Sequence, residues 1–261
     1  MSRRGPARFG GVLLGAVVFV AALAIWEAWA RDAESFYFPP VSEVASRAWD
    51  VWPSAEFLSA VGASLKRLAA GYAIGVAAGV TTGLAMGASP KARRTLGPTT
   101  EFLRGLPVIA VMPIAIVSLG LGDAMRIAVI AFGVVFPVLI GTVDGVRAVP
   151  PETRDTARLL RVGAMPGSVR IYLPAALPSI FAGLRTSLSI GLALVVISEI
   201  SGEGDGLGVY IRSQQTLFNV REMYAALLFL GLLGYALNRL FLIVERRVLA
   251  WHYGAIGEPV R

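Results

Sequence analysis

No cysteine occurs in the 261 residues, and histidine occurs once, as His252 near the C-terminus. Disulfides, thiolate nucleophiles and Cys-ligated metals are therefore excluded, and neither a His-based metal cluster nor a His-based catalytic triad can be assembled. Charge is scarce too: 16% of residues are Asp, Glu, Lys or Arg, against 56% hydrophobic and a mean hydropathy of +0.68. A soluble chain must cover its surface with polar groups, and this one has too few, so a membrane is the expected solvent. Acidic residues are the scarcer sign, 17 against 24 Lys and Arg, for a formal net charge of +7. The basic residues lie between apolar runs and form no single patch, which is the cytoplasmic excess of a multispanning protein and not a nucleic-acid footprint. No GxxxxGK(S/T) stretch is present, so no nucleotide site of that kind belongs to this chain. Clustered carboxylates are absent as well, so no enzyme active site, cofactor site or metal site is assigned.

What is present is apolar sequence in long runs. A membrane-crossing helix needs about 20 apolar residues, and six segments qualify: Gly10–Ala30, Leu68–Ala88, Phe102–Leu119, Ala124–Val146, about Leu177–Ile200 and about Tyr224–Val244. Pro107 and Pro113 interrupt the third and Pro137 lies inside the fourth. Neighbouring helices can satisfy the backbone groups that such prolines free. The reading is all-α and polytopic, a single transmembrane domain over 1–261 with about six spans. An ion-coupled secondary transporter is one alternative, but no inverted repeat and few intramembrane carboxylates support it.

Lys and Arg in the short loops set the orientation. Arg3, Arg4 and Arg8 precede the first span, Lys91, Arg93 and Arg94 follow the second, and Arg246 and Arg247 follow the sixth. Arg147, Arg154, Arg158, Arg161 and Arg170 lie between the fourth and fifth. Residues 1–9, the loop 148–174 and the tail 246–261 are thus expected in the cytoplasm, with both termini inside. The first apolar run is read as a retained helix; its "AWA" end also resembles a signal-peptide cleavage site. Residues 31–66 form the longest outside stretch, where Trp49, Trp52, Phe57 and Leu58 among charges suggest one or two interfacial amphipathic helices. Lys66 and Arg67, at the head of the second span, are read as snorkelling toward head groups.

The loop 148–174 is longer than the usual helix–helix connection of about 2–8 residues. Pro151 suits a first helical position and Glu152 complements the helix dipole. A short helix from there to about Val162 puts Arg154, Arg158 and Arg161 on one stripe. Gly163 and Pro166-Gly167 break it, and a second turn leads through Ile171 and Leu173 to Pro174. The predicted object is a cytoplasmic helix–turn–helix.

"DTARLLR", nine residues and then "IYLP" resembles the EAA loop of ABC importer permeases: Glu-Ala-Ala, three residues, Gly, nine residues, Ile, one residue, Leu-Pro. Asp155, Thr156 and Ala157 fall on its first positions, and Ile171, Leu173 and Pro174 on its last. Arg161 stands in the Gly slot, so Gly163 or the later Pro-Gly step must make the turn. "FLRGLPVIAVMPIAIVSLGLGDAMRIAVIAFGVVFPVLIGTVDGVRAVPPETRDTARLLR", "LPSIFAGLRTSLSIGLALVVISEISGEGDGLGVYI" and "LNRLFLIVERRVLAWH" are similar to permeases of the nitrate/sulfonate/taurine group, over most of residues 35–252. The resemblance implies a type I permease fold in a bacterial inner membrane. It implies a second permease copy, a cytoplasmic ATPase dimer and an extracytoplasmic solute-binding protein as partners, with lipid around them. It also implies that the loop, through Asp155, Thr156, Ala157, Arg158, Arg161 and Gly163, is the helix that docks on the ATPase. Relatives also carry bicarbonate, cyanate and thiamine-precursor pyrimidines.

Arg185 and Glu199 lie in or at the edge of the fifth span, where an ionisable group is costly and a functional candidate by default. Arg185 facing a central pathway would favour anionic solutes. Glu199 is read as interfacial, near the outer mouth. Pro107 and Pro113 complete the candidate pathway residues, as kinks that shape a gate.

Overall fold

The computed structural model describes residues 7–159 and 171–251. Among the described residues every regular element is helical. In chain order the helices are α1 (Ala7–Ala33), α2 (Val41–Val51), α3 (Ala55–Ala88), α4 (Pro90–Gly105), α5 (Val108–Leu119), α6 (Asp123–Arg147), α7 (Pro151–Leu159), α8 (Leu173–Ile200), α9 (Leu207–Thr216) and α10 (Val220–Val248). Five of these, α1, α3, α6, α8 and α10, are long and apolar enough to cross a membrane.

The third expected span is not one helix. α4 and α5 meet at a bend of 98°. Its cause is Pro107, which has no N–H to continue the α4 ladder and which drives the residue before it out of the helical region. Leu106 accordingly sits at φ −76°, ψ 128°, and Pro107 caps α5 at φ −59°. At twelve residues α5 is about 18 Å long, short of the ~30 Å of hydrocarbon. Pro113 lies inside α5 without ending it.

The chain divides into two compact units, residues 1–58 with 210–230, and residues 59–209 with 231–261. In the first, α2 is amphipathic as expected and buries Val44, Ala48 and Val51, spaced i, i+4, i+7. Phe57 and Leu58 lie in the first turns of α3, continuous with the span, so one separate amphipathic helix precedes it. The Phe57 ring meets Tyr210 at 5.2 Å and Phe229 at 5.0 Å, both edge-on. The Trp52 indole N–H donates to the Ala225 carbonyl at 3.1 Å.

The second unit rests on small residues. Gly71, Gly75, Gly79, Gly83 and Gly87 recur every fourth position on α3 and face Ile130, Val134, Val138, Thr142 and Val146, which recur every fourth position on α6. A Cβ on Gly79 would lie 2.8 Å from both the Val135 carbonyl and the Val138 Cβ. α6 and α8 approach as closely, with a Cβ on Gly141 falling 2.6 Å from the Ser179 carbonyl and one on Gly183 falling 2.5 Å from the Pro137 carbonyl. Lipid supplies no hydrophobic drive between helices, so this backbone-to-backbone contact provides the packing energy. Leu68, Met125, Val129, Ile130, Val134, Val138, Leu194 and Val195 form the core between these helices.

Candidate functional site

The loop singled out from its spacing opens as a helix, α7, beginning at Pro151 as expected. Asp155 is exposed on it, and Leu159 is 83% exposed, an apolar side chain left in the open. Thr156, Ala157 and Arg158 belong to the same helix. Arg161 and Gly163 lie outside the described residues, and with them the expected turn. Ile171 and Tyr172 form a turn of π-helix that leads into α8, whose first two residues are Leu173 and Pro174. The α7 end and the α8 start are thus separate elements.

The residues read as interfacial charges are placed differently. Arg67 does not snorkel; it is 4% exposed, and Glu199 is 0% exposed. A buried carboxylate must be met by hydrogen-bond donors, and Glu199 has three. Ser64 Oγ lies 2.9 and 2.8 Å from its two oxygens, Arg67 Nη1 donates at 2.8 Å, and the Gly208 N–H donates at 2.9 Å. Ser64 in turn accepts from the Leu207 N–H at 2.8 Å. Arg67 also donates through Nε to Asp123 at 2.7 Å, through Nη1 to the Asp205 carbonyl at 2.8 Å, and through Nη2 to the Asp205 carboxylate. Arg126, 2% exposed, donates to the Glu203 and Asp205 carbonyls. Asp123 and Asp205 stand at the rim, with side chains 63% and 61% exposed. The hydrogen bond from Arg67 holds the Asp205 carboxyl below the usual carboxylate range.

The stretch "SGEGDGLG", residues 201–208, supplies the backbone of this network. Gly206 has φ +123°, and a Cβ there would overlap the Glu199 carboxylate. The network therefore ties α3, α6, α8 and the loop after α8 together. Ser64 and Arg126 carry no assignment from sequence, and Arg67 is assigned there to the surface. The usable signals were a Ser and an Arg three apart on one helix face, and a loop with three glycines beside an intramembrane Glu.

Arg185 lies elsewhere. It is exposed on α8 and lines a groove of about 690 Å³ with Ala182, Thr186 and Ser189, opposite Gly234, Tyr235, Asn238 and Glu245 of α10. No carboxylate among the described residues pairs with Arg185. Glu245 Oε2 is buried without a hydrogen-bond partner among the described residues. Arg239, by contrast, is engaged: its Nε donates to the Tyr235 hydroxyl at 2.8 Å and its guanidinium stacks over that ring at 5.1 Å. Pro107 and Pro113 are both exposed, the first at the α4–α5 bend and the second on α5. The candidate pathway residues therefore separate into a polar groove with Arg185, a bent helix with the two prolines, and the buried network with Glu199.

Apolar helices long enough to cross a membrane, packed through close Gly contacts and with a bent pair in third place, define a multi-pass membrane protein. Residues 72–250 match the family of binding-protein-dependent transport system inner membrane components, and the chain belongs to that family. It is a multi-pass ABC-importer permease. A "probable ABC transporter permease protein" of Brucella melitensis is 30% identical over 247 residues, covering 94% of this chain and 99% of that protein. A Bacillus subtilis permease named for aliphatic sulfonates transport is 29% identical over 252 residues, 95% of this chain and 90% of its own. The nitrate import permease protein NrtB of Leptolyngbya laminosa is 27% identical over 266 residues, 95% of each chain.

Proposed function

We propose that this chain forms the translocation pathway for a small oxyanion of the sulfonate/taurine/nitrate type and couples its passage to ATP hydrolysis on a separate cytoplasmic ATPase dimer. The names of relatives in the sulfonate and nitrate systems support the solute class. The observation that carries the coupling is α7: a short helix with exposed Asp155 and exposed Leu159, in the register that ends at Ile171, Leu173 and Pro174. A rigid helix of this kind transmits ATPase closure to the attached spans as rigid-body motion. Asp155, Thr156, Ala157, Arg158, Arg161 and Gly163 form the docking element, and small Ala157 permits close approach. Arg185, without a paired carboxylate, supplies the positive charge along the pathway, and Pro107 and Pro113 set the bend and shape of the third span.

In this reading the chain sits in the bacterial inner membrane as a single domain with both termini in the cytoplasm. A second copy completes the pathway, and an extracytoplasmic solute-binding protein delivers the solute. The test is reconstitution into vesicles with the ATPase and binding protein. Ala157→Trp and Asp155→Arg are expected to insert and assemble at normal abundance, yet lose solute uptake and its stimulation of ATP hydrolysis. Normal uptake by both variants would overturn the assignment of α7.

A further inference from the structure

Among the described residues, two that are not glycine adopt positive φ: Glu34 at 44° and Phe218 at 57°. Both line one cleft of about 870 Å³ in the first unit. Each closes a helix in the left-handed conformation, a position that glycine usually holds. At Phe218 the closure is complete: the Asn219 N–H donates to the Gln214 carbonyl at 2.9 Å and the Phe218 N–H donates to the Gln215 carbonyl at 3.2 Å. Glycine would make the same turn without steric conflict. The turn therefore does not account for a phenylalanine that is 62% exposed.

The cleft's polar groups are unevenly used. Arg47 is paired with Glu222 at 2.8 Å and needs nothing further. Arg221 reaches Glu43 through Nε at 2.7 Å, and both of its terminal nitrogens lack a partner among the described residues. Arg31 is held by Glu27 and by Ser42 through Nε and Nη2, which leaves Nη1 open. Glu34 has no hydrogen bond or ion pair from its carboxylate among the described residues. The cleft thus offers open N–H groups from two arginines and one open carboxylate.

Two rings of its lining, Phe36 and Phe218, are each 62% exposed, and Trp29, Tyr37 and Leu217, next in sequence to lining residues, are 51%, 62% and 65% exposed. The cleft also lies where α1 ends and α10 begins, two helices that meet the criteria for spans. Aromatic residues at span ends lie at the head-group level of a bilayer.

We propose that this cleft binds the head group of a membrane phospholipid that carries both a phosphodiester and a primary ammonium, as phosphatidylethanolamine does. The phosphate accepts from Arg31 and Arg221, the ammonium donates to Glu34, and Phe36 and Phe218 lie against the start of the acyl chains. Free phosphate would use the arginines but leaves the carboxylate and the exposed rings without a role. A docking protein would leave the same rings in water until it arrived.

The test is native mass spectrometry of the intact chain, released from mild detergent with equimolar phosphatidylethanolamine, phosphatidylcholine and phosphatidylglycerol of identical acyl chains. Wild type is expected to retain the ethanolamine lipid over the choline lipid by about two- to fivefold, the range that one solvent-screened charge contact supplies. Glu34→Gln, an isosteric change at an exposed site, should abolish that preference while leaving total lipid retention intact. Arg221→Gln should lower retention of all three lipids. Phe218→Gly, which the turn tolerates, should lower it as well. Equal retention of the three lipids by wild type, or unchanged profiles in the variants, overturns the proposal. Displacement of bound lipid by millimolar inorganic phosphate would identify a phosphate-ion site and overturn it too. Variants that keep the lipid profile but lose binding to the solute-binding protein would reassign the cleft to that partner.

Discussion

Removing Arg67 measures how much of the bundle's stability rests on the buried network. Glu199 is 0% exposed in the wild type, and Arg67→Ala leaves it only Ser64 and the Gly208 N–H as donors. Taking one partner from a buried ion pair leaves an uncompensated charge and costs about 3–5 kcal/mol. The losses at Asp123 and Asp205 add little, because side chains that are 63% and 61% exposed are screened by water, which limits such contacts to ~0–1 kcal/mol each. Glu199→Ala strands Arg67 less severely, since the rim carboxylates still accept from it, so its cost should fall at or below the low end of that range. The double variant leaves no stranded charge, so its cost should fall short of the sum of the two singles by at least ~1 kcal/mol, the signature of coupled neighbours. Reversible SDS titration in mixed micelles, read by tryptophan fluorescence, gives the three free energies. A single Arg67→Ala cost under ~1 kcal/mol, or strict additivity of the pair, would refute the claim that Arg67 and Glu199 stabilise the bundle as a coupled pair.

Gly79→Leu should place a branched side chain where even a Cβ meets Val138 and the Val135 carbonyl at 2.8 Å; a loss of ~3 kcal/mol or more should appear as reduced folded yield on size-exclusion chromatography, whereas Gly97→Leu, with open space around it, should be silent. The Asp205 carboxyl is held low by Arg67, so the stability it adds is present above the unfolded value of ~3.9 and fades as pH falls through the lower folded value. The gap between wild type and Asp205→Asn, under ~1 kcal/mol at this exposure, should accordingly be constant from pH 7 to pH 5 and shrink only below about pH 4. Arg185→Gln should lower anion uptake by reconstituted vesicles with little change in SDS stability, since no carboxylate pairs with it; unchanged uptake would remove Arg185 from the pathway.

The spans were legible because lipid enforces them: a run of apolar residues long enough to cross leaves the chain few alternatives. The same logic misled at Arg67. A basic residue at the head of an apolar run normally lifts its charge to the surface, and Lys66 beside it looks identical in sequence. What turns Arg67 inward is Glu199, which is 132 residues away, together with a glycine loop whose backbone carbonyls face the cluster. Neither partner is adjacent in sequence, and the one local difference between the two side chains is Ser64, three residues before Arg67. Arg126 was passed over for the same reason, as one charge at the start of a span. The third span illustrates a different limit. Pro107 announced a break, but the size of the bend depends on the ψ of Leu106, which the sequence constrains only to the extended region. At α7 the sequence supplied register and start, and the helix begins at Pro151 as read. Glu245 carried no signal, because one acid near the end of a basic, apolar helix is ordinary.

Two faces of the second unit are incompatible with lipid in different ways. α5 is too short to cross, yet Ile109, Ile114 and Val117 stand 59%, 67% and 88% exposed along it. Such a helix can rest at membrane depth only where protein or a water-filled cavity satisfies its ends. The α8 groove has the opposite problem, since Arg185, Thr186 and Ser189 put polar groups on an exposed face of an apolar span. Facing hydrocarbon, an arginine at such a site costs about 2.5–3.5 kcal/mol or more, whereas the Thr186 hydroxyl is met by the Ala182 carbonyl at 3.1 Å. Lipid can cover the first face but not the ends of its helix, and it cannot cover the second at all. In the proposed assembly a second permease copy would meet both demands at once, enclosing the polar face and burying the ends of the short helix against protein. The Arg67 network ties α3 to the start of α6 and the end of α8, so any movement between those three helices must break it.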